Sequence, residues 1–310
     1  MGQLVNGKWI ETDVRAGEKN DRGEFIRKPM SFRGTISKNG DHPPKAGRYH
    51  LYVSYACPWA HRTLIMRVLK GLQNAISIDV VSPNMMSDGW SFLKDYDQIP
   101  HDSLFGKDFL REVYVKADPN FTGRVTVPVL WDKKNETIVN NESSEIIRIL
   151  NSEFEDFASN RTDYFPEENR AAIEKWNDII YPNINNGVYR CGFARSQTAY
   201  NEAFSQLFNT LDRVESHLAE STFLVGESLT EADIRLFTTL IRFDDVYHTH
   251  FKCNGKLIRE YPHLSTYVDR ILHIEGVRDT INMDHIKQHY YFSHDSINPS
   301  RIVARGPLNL

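Results

Sequence analysis

Among the residues able to do chemistry, Cys57 has the most informative setting, the run Tyr-His-Leu-Tyr-Val-Ser-Tyr-Ala-Cys-Pro-Trp-Ala-His-Arg over residues 49–62. Tyr49, Leu51 and Val53 alternate as a strand does, and Leu64, Ile65, Val68 and Leu69 repeat as the buried stripe of a helix. Cys57 therefore falls at the turn between a strand and a helix. Pro58 suits the first helical position, where the missing N–H would go unpaired anyway, and Gly71 marks the C-terminal stop. A thiol at a helix N-terminus faces unpaired N–H groups and the positive end of the helix dipole, both of which favour the reactive thiolate. Most cysteines are small buried hydrophobes, but the position directly before Pro at such a turn favours a nucleophile. A dithiol redox protein would carry its second cysteine three residues later, and that position is Ala60. A disulfide formed on Cys57 must then be opened by a thiol from outside. Glutathione is the abundant cytosolic candidate.

Two further stretches carry polar groups of interest. Val125-Thr-Val-Pro-Val-Leu-Trp-Asp132 reads as a strand entered through a proline, which cannot donate to a ladder and belongs at a strand start or edge. A cis bond before Pro128 would present the Val127 backbone beside the Cys57 turn, although trans is the default. Asn141-Glu-Ser-Ser144 opens a helix with the stripe Ile146, Ile147 and Leu150. Glu142, Ser143 and the first N–H groups converge there, a corner able to hold a zwitterionic amino-acid group. Plain N-capping uses the same residue types.

The elements that must position these groups follow from the rest of the chain. Its 310 residues suffice for two domains. With 40% hydrophobic and 25% charged residues and a net charge of -4, nothing points to nucleic acid. No apolar run approaches a membrane span, and the polar N-terminus lacks a signal-peptide core. Three cysteines, Cys57, Cys191 and Cys253, are too sparse and odd in number to suggest a disulfide framework and fit a reducing, cytoplasmic compartment. Aromatics at 12% hint at a site for flat organic molecules.

The reading divides the chain into an N-terminal extension (1–46), a thioredoxin-like α/β domain (47–155), a linker (156–166), an all-α helical bundle (167–292) and a tail (293–310). The first domain reads strand, helix, strand, strand, strand, helix, with Ile76–Val81 as the second strand and Ile138–Val139 as a hairpin partner of 125–132. The segment 82–120 reads as irregular. In the bundle, Ala172, Ile173, Trp176, Ile179 and Ile180 form one stripe and Phe204, Leu207, Phe208, Leu211, Val214 and Leu218 another. Thr230 and Asp233 have capping-box spacing ahead of Ile234, Leu236, Phe237, Leu240 and Ile241. Further helices are expected over 261–271 and 277–289.

This combination resembles a cytosolic glutathione transferase. More narrowly, Cys57-Pro-Trp-Ala-His-Arg62, Gly123-Arg-Val-Thr-Val-Pro-Val-Leu-Trp-Asp132, Asn140-Asn-Glu-Ser143, Asn186-Gly-Val-Tyr189 and Asp284-His-Ile-Lys-Gln-His-Tyr-Tyr291 are similar to the glutathionyl-hydroquinone reductases, the Xi class, over about residues 32–294. The resemblance implies that Cys57 takes glutathione from a glutathionyl-hydroquinone as a mixed disulfide, which a second glutathione resolves. It implies Tyr189 as the acid that protonates the arene, with Tyr247 and Tyr290 stabilising the thiolate. It further implies Trp90, Arg124, Val125, Thr126, Val127, Glu142 and Ser143 as glutathione contacts, glutathione as co-substrate with no bound cofactor, and a homodimer. Without the resemblance, the tyrosines and Trp90 read as packing residues.

One rival keeps the fold and changes the substrate: an omega-like thiol transferase acting on dehydroascorbate or mixed disulfides. A non-catalytic scaffold of the same fold would have no use for Cys57 or a glutathione site. His285 and His289 at i, i+4, and His248 near His250, lack the glutamate of a His-Glu-x-x-His zinc motif, so no metal is expected.

Overall fold

The computed structural model describes residues 2–12, 19–27, 29–96 and 101–307. Parts of the expected extension (1, 13–18, 28), of the 82–120 segment (97–100) and of the tail (308–310) lie outside the described residues. The chain forms two compact units. One holds residues 2–12, 29–96, 101–162 and 279–289, and the other 19–27, 163–278 and 290–307. The stretch read as one extension is thus divided between them.

In the first unit, Gly2–Val5 (β1) and Lys8–Glu11 (β2) form an antiparallel hairpin. Its two-residue turn is Asn6-Gly7, with φ of 48° and 71°. Both φ values are positive, as the turn matching strand twist requires. Tyr49–Val53 (β3) is central to a second, four-stranded sheet. It runs parallel to Ile76–Val80 (β4) and antiparallel to Val129–Asp132 (β5), which pairs with Thr137–Asn140 (β6). All five β3 residues are buried, so this strand is covered on both faces and not alternately exposed.

Helix α1 (Pro58–Leu69) follows β3 with Pro58 in its first turn. It ends in a Schellman turn: Gly71 N–H donates to Val68 O and Leu72 N–H to Arg67 O, both at 2.9 Å, with Gly71 at φ 64°. Helix α1 packs on α3 (Ser143–Ser152), whose buried stripe is Ile146, Ile147 and Leu150. The segment expected to be irregular contains α2 (Leu110–Ala117). At eight residues, with Val113 and Val115 branched at Cβ, it carries little helical signal of its own. Glu112 stabilises its start by accepting from Phe109 N–H at 3.0 Å.

A buried ion cluster holds the start of β3 to the end of β5. Arg48 Nε and Nη2 donate to the two Asp132 carboxylate oxygens at 2.8 and 2.5 Å, and His42 Nδ1 lies 2.7 Å away. Burial alone would raise the Asp132 pKa, but the Arg48 fork, His42 and the N–H groups of Lys134 and Asn135 hold it at about 2. A depressed carboxylate pKa adds stability above the unfolded value of about 4, and that stability is lost as pH falls towards 2. Asp132→Asn is expected to cost about 3 kcal/mol at neutral pH. In urea denaturation the gap between wild type and variant should narrow from pH 4 to pH 2. A gap independent of pH would exclude the ionised cluster as its source.

The second unit is helical: α4 (Arg170–Ile180), α5 (Gly187–Gly192), α6 (Gln197–Leu218), α7 (Glu231–Arg242), α8 (His248–His250) and α9 (Pro262–Leu272). Helix α10 (Met283–Ser293) runs through the division, Tyr290 onward belonging to this unit. The stripe of α4 is narrower than its apolar residues suggest: Ile173, Asn177 and Ile180 are buried, whereas Ala172 is exposed. The capping box of α7 is present, and the buried Asp233 carboxylate accepts from Leu224 N–H, Thr230 N–H and the Thr230 hydroxyl at 2.8 Å and from the Tyr267 hydroxyl at 3.0 Å. At the C-terminal end of α7, Arg242 is buried and donates to Thr238 O at 2.7 Å, while Ile241 is only half-buried. Segment 19–27 lies against this unit, Arg195 N–H donating to Gly23 O at 3.0 Å. No helix of the described residues is long and apolar enough to cross a membrane.

Candidate active site

Cys57 is the N-cap of α1. It is half-buried and has extended φ and ψ of -78° and 119°. Its thiol makes no capping bond, so the sulfur is left to other partners. It donates to Val127 O at 3.7 Å. The Val127–Pro128 bond is cis. Among the described residues no hydrogen bond engages the Val127 N–H.

The reason Val127 presents its backbone to the thiol lies one residue earlier. Tyr114 of α2 donates its hydroxyl to Thr126 O at 2.9 Å and accepts from Thr126 N–H at 3.2 Å and from Asn141 Nδ2 at 3.1 Å. Burial pushes this phenol up, so it stays a donor. Both Thr126 backbone groups are engaged by Tyr114, while the next carbonyl, that of Val127, faces the Cys57 thiol. Arg124 is half-buried and close enough to Tyr114 to act on it by charge.

At the N-terminus of α3, Glu142 caps the helix, its Oε1 accepting from Ser144 N–H at 3.1 Å and from the Ser144 hydroxyl at 2.9 Å. Ser143 is buried and accepts from Arg62 Nη1 at 3.4 Å, and the Arg62 guanidinium lies 4.4 Å from the centre of the Trp59 ring. Capping is therefore realised here, and it leaves Glu142 Oε2 without a role in the cap. Trp90 is nearly buried and stacks on His289 at 4.9 Å between ring centres. His289 Nδ1 is 2.9 Å from Pro83 O, and His285 sits edge-on to Tyr55 and Tyr96. Among the described residues no group of three or more potential ligands could hold a metal ion.

The second unit brings the three predicted tyrosines together. The Tyr290 hydroxyl is 2.5 Å from that of Tyr189 and 2.9 Å from that of Tyr247. Tyr290 and Tyr247 are buried, and burial pushes both phenols well up. They stay protonated. Tyr189 is half-buried. If protons are donated from Tyr247 to Tyr290 and on to Tyr189, the outward proton is that of Tyr189. Two π-type turns set this geometry, Tyr181–Asn185 just before the helix that carries Tyr189, and Phe243–Tyr247 ending on Tyr247. Such turns re-aim side chains and recur at functional sites. The Arg27 guanidinium covers the Tyr189 ring at 5.0 Å, while its Nε donates to Asn186 Oδ1 at 3.1 Å.

Sequence reasoning assigned no part to Tyr114, Arg62 or Arg27. Tyr114 and Arg27 lay in stretches without periodic signal, and the contacts of Arg62 depend on the packing of α1 on α3.

Comparison with known proteins places this arrangement. The family model described as "Glutathione S-transferase, N-terminal domain" matches residues 56–153, and that described as "Glutathione S-transferase, C-terminal domain" matches residues 197–270. The glutathionyl-hydroquinone reductase PcpF of Sphingobium chlorophenolicum is 52% identical over 99% of this chain and 96% of its own. The glutathione S-transferase omega-like 2 of Schizosaccharomyces pombe is 48% identical over 92% of this chain and 94% of its own. The glutathione-bound structure of YqjG from Escherichia coli K-12 superposes with a TM-score of 0.90 at 45% identity, covering 100% of this chain and 96% of that one. With both family models and full-length relatives in agreement, the chain belongs to the glutathione transferases, among the Xi-class glutathionyl-hydroquinone reductases.

Proposed function

We propose that the protein is an enzyme that reduces glutathionyl-hydroquinones to hydroquinones at the expense of a second glutathione. The Cys57 thiolate attacks the glutathionyl sulfur, the carbon–sulfur bond breaks, and the arene carbon takes a proton from Tyr189. The products are hydroquinone and a Cys57–glutathione disulfide. A glutathione thiolate then attacks that disulfide, releasing oxidised glutathione and regenerating the Cys57 thiolate. Overall, one thioether and one thiol give one disulfide and one arene C–H.

Glutathione is held on this reading by residues of the first unit. Val125, Thr126 and Val127 offer backbone as an added strand would need. Glu142 and Ser143 take the γ-glutamyl end, Arg124 faces a carboxylate, and Trp90 lines the tripeptide. Tyr247 and Tyr290 keep protons available to Tyr189 and to the thiolate. A homodimer in the cytoplasm completes the proposal, consistent with three cysteines that build no disulfide framework.

The observation that carries the reading is the chain of three hydroxyls ending at Tyr189. Exchange between sulfur atoms needs no carbon acid, whereas cleavage of an aryl–sulfur bond does. The omega-like relative keeps a second reading in view, that of a thiol transferase acting on dehydroascorbate. The test is kcat/KM for a glutathionyl-hydroquinone against dehydroascorbate, both with glutathione. A preference of 100-fold or more, about 2.7 kcal/mol, is expected for the aryl thioether. Equal efficiencies would favour the thiol transferase.

A further inference from the structure

Glutathione is held, on the reading above, by two separate stretches of the first unit, the backbone of residues 125–127 and the side chains of Glu142 and Ser143. One buried hydroxyl ties the two stretches together. Tyr114 of α2 is fully buried. Its hydroxyl gives its single proton to Thr126 O at 2.9 Å and fills its two lone pairs with Thr126 N–H at 3.2 Å and Asn141 Nδ2 at 3.1 Å. The Thr126 hydroxyl, 3.3 Å away, donates instead to Met30 Sδ at 3.5 Å. The whole hydrogen-bonding capacity of the phenol is thus directed at residues that adjoin the two stretches.

Asn141 is the other half of the junction. It is buried and directly precedes Glu142. While its Nδ2 reaches Tyr114, its Oδ1 accepts from Phe32 N–H at 3.1 Å, and its own N–H donates to Phe32 O at 3.1 Å. The Phe32 ring in turn lies edge-on to that of Tyr114, with 5.9 Å between centres. Held at both ends of its amide, the Asn141 side chain cannot turn without breaking one of these bonds.

A ligand that spans two contact regions gains from the second only where their spacing lets it engage both at once, and a spacing fixed beforehand spares the cost of ordering them. A ligand that reaches only one region gains nothing from that spacing. We propose that Tyr114 and Asn141 are positioning residues that fix the distance between the two stretches, and that this distance selects thiol compounds bearing a γ-glutamyl group over shorter ones. Cysteinylglycine, which is glutathione without that group, is the shorter case. The assignment of the two stretches to the tripeptide rests on the functional reading, whereas the junction between them does not.

The test is binding of S-methylglutathione and S-methylcysteinylglycine to the full-length protein, read by ligand-observed NMR titration. Neither thioether carries an aryl group, so binding is read without turnover. Wild type should prefer S-methylglutathione. Tyr114→Phe should weaken S-methylglutathione by about tenfold or more, the scale of buried polar groups left unpaired, and change S-methylcysteinylglycine by less than about threefold. Tyr52→Phe removes another buried hydroxyl of the same unit, one that donates to Asp102 Oδ1 at 3.0 Å, and should leave both affinities within about threefold. Should Tyr114→Phe fail to fold, Asn141→Ala severs the junction from its other side and carries the same expectation. Equal weakening of the two ligands, or a selective loss in Tyr52→Phe as large as in Tyr114→Phe, would reduce the hydroxyl to a support of the fold and overturn the proposal. A wild-type preference that survives both Tyr114→Phe and Asn141→Ala would overturn the junction's role alone. Wild type binding the two thioethers equally would remove the two-stretch grip itself, and the selectivity with it.

Discussion

Replacing Cys57 by serine is expected to lower hydroquinone release by about 10³-fold or more, because a serine hydroxyl is neither ionised at neutral pH nor an effective nucleophile towards sulfur. The variant should fold normally. Cys57 makes no capping bond that α1 depends on, and serine is itself a favoured N-cap residue. The decisive measurement combines single-turnover product release with the intact mass of the protein. Wild type should gain one glutathione during turnover and lose it when more thiol is added, while the variant gains none. Release of hydroquinone by Cys57→Ser at a rate near that of wild type would mean that the thioether is opened by glutathione directly, with the protein acting only as a template.

Tyr189→Phe is the second large effect and the more discriminating one. It removes a single hydroxyl from the end of the Tyr247–Tyr290–Tyr189 chain and keeps the ring that packs against Phe193 and Phe251. Loss of a positioned acid typically costs about 10²- to 10⁴-fold. That cost should fall on the aryl thioether alone. Exchange with a glutathione mixed disulfide, which breaks no carbon–sulfur bond, should change by less than about threefold, within the scatter of ordinary packing effects. Equal losses in the two assays would remove Tyr189 as proton donor and assign the cluster a structural role.

Much of the Cys57 half was legible because its signals are local. A strand, a Cys-Pro step and an amphipathic stripe fix where a helix N-terminus falls, and Gly71 marks its end. Asn-Gly at residues 6 and 7 is an equally local signal of a hairpin, but the surrounding residues lack the strong alternation that would mark its strands. Helix α2 was hidden for a different reason. Eight residues with branched side chains become helical through packing of Leu110, Val113 and Tyr114, which no window over those residues reveals. The tyrosine cluster is the least legible part. Tyr189 and Tyr290 come from two helices and Tyr247 from a π-type turn, and the π-type turns at 181–185 and 243–247 leave no periodic mark. Only the resemblance drew attention to the three tyrosines.

The N-terminal hairpin holds none of the proposed site residues, yet Leu4 and Gly123 exchange both backbone hydrogen bonds at 2.9 Å, and Gly7 N–H reaches Phe121 O. The opening residues are thus a latch on the strip of chain that leads into Arg124 and Val127. A shortened form lacking only the hairpin of β1 and β2 would keep every group named in the chemistry and still release that strip. Expression designs that treat the leader as dispensable would then lose grip on the tripeptide while leaving the sulfur intact.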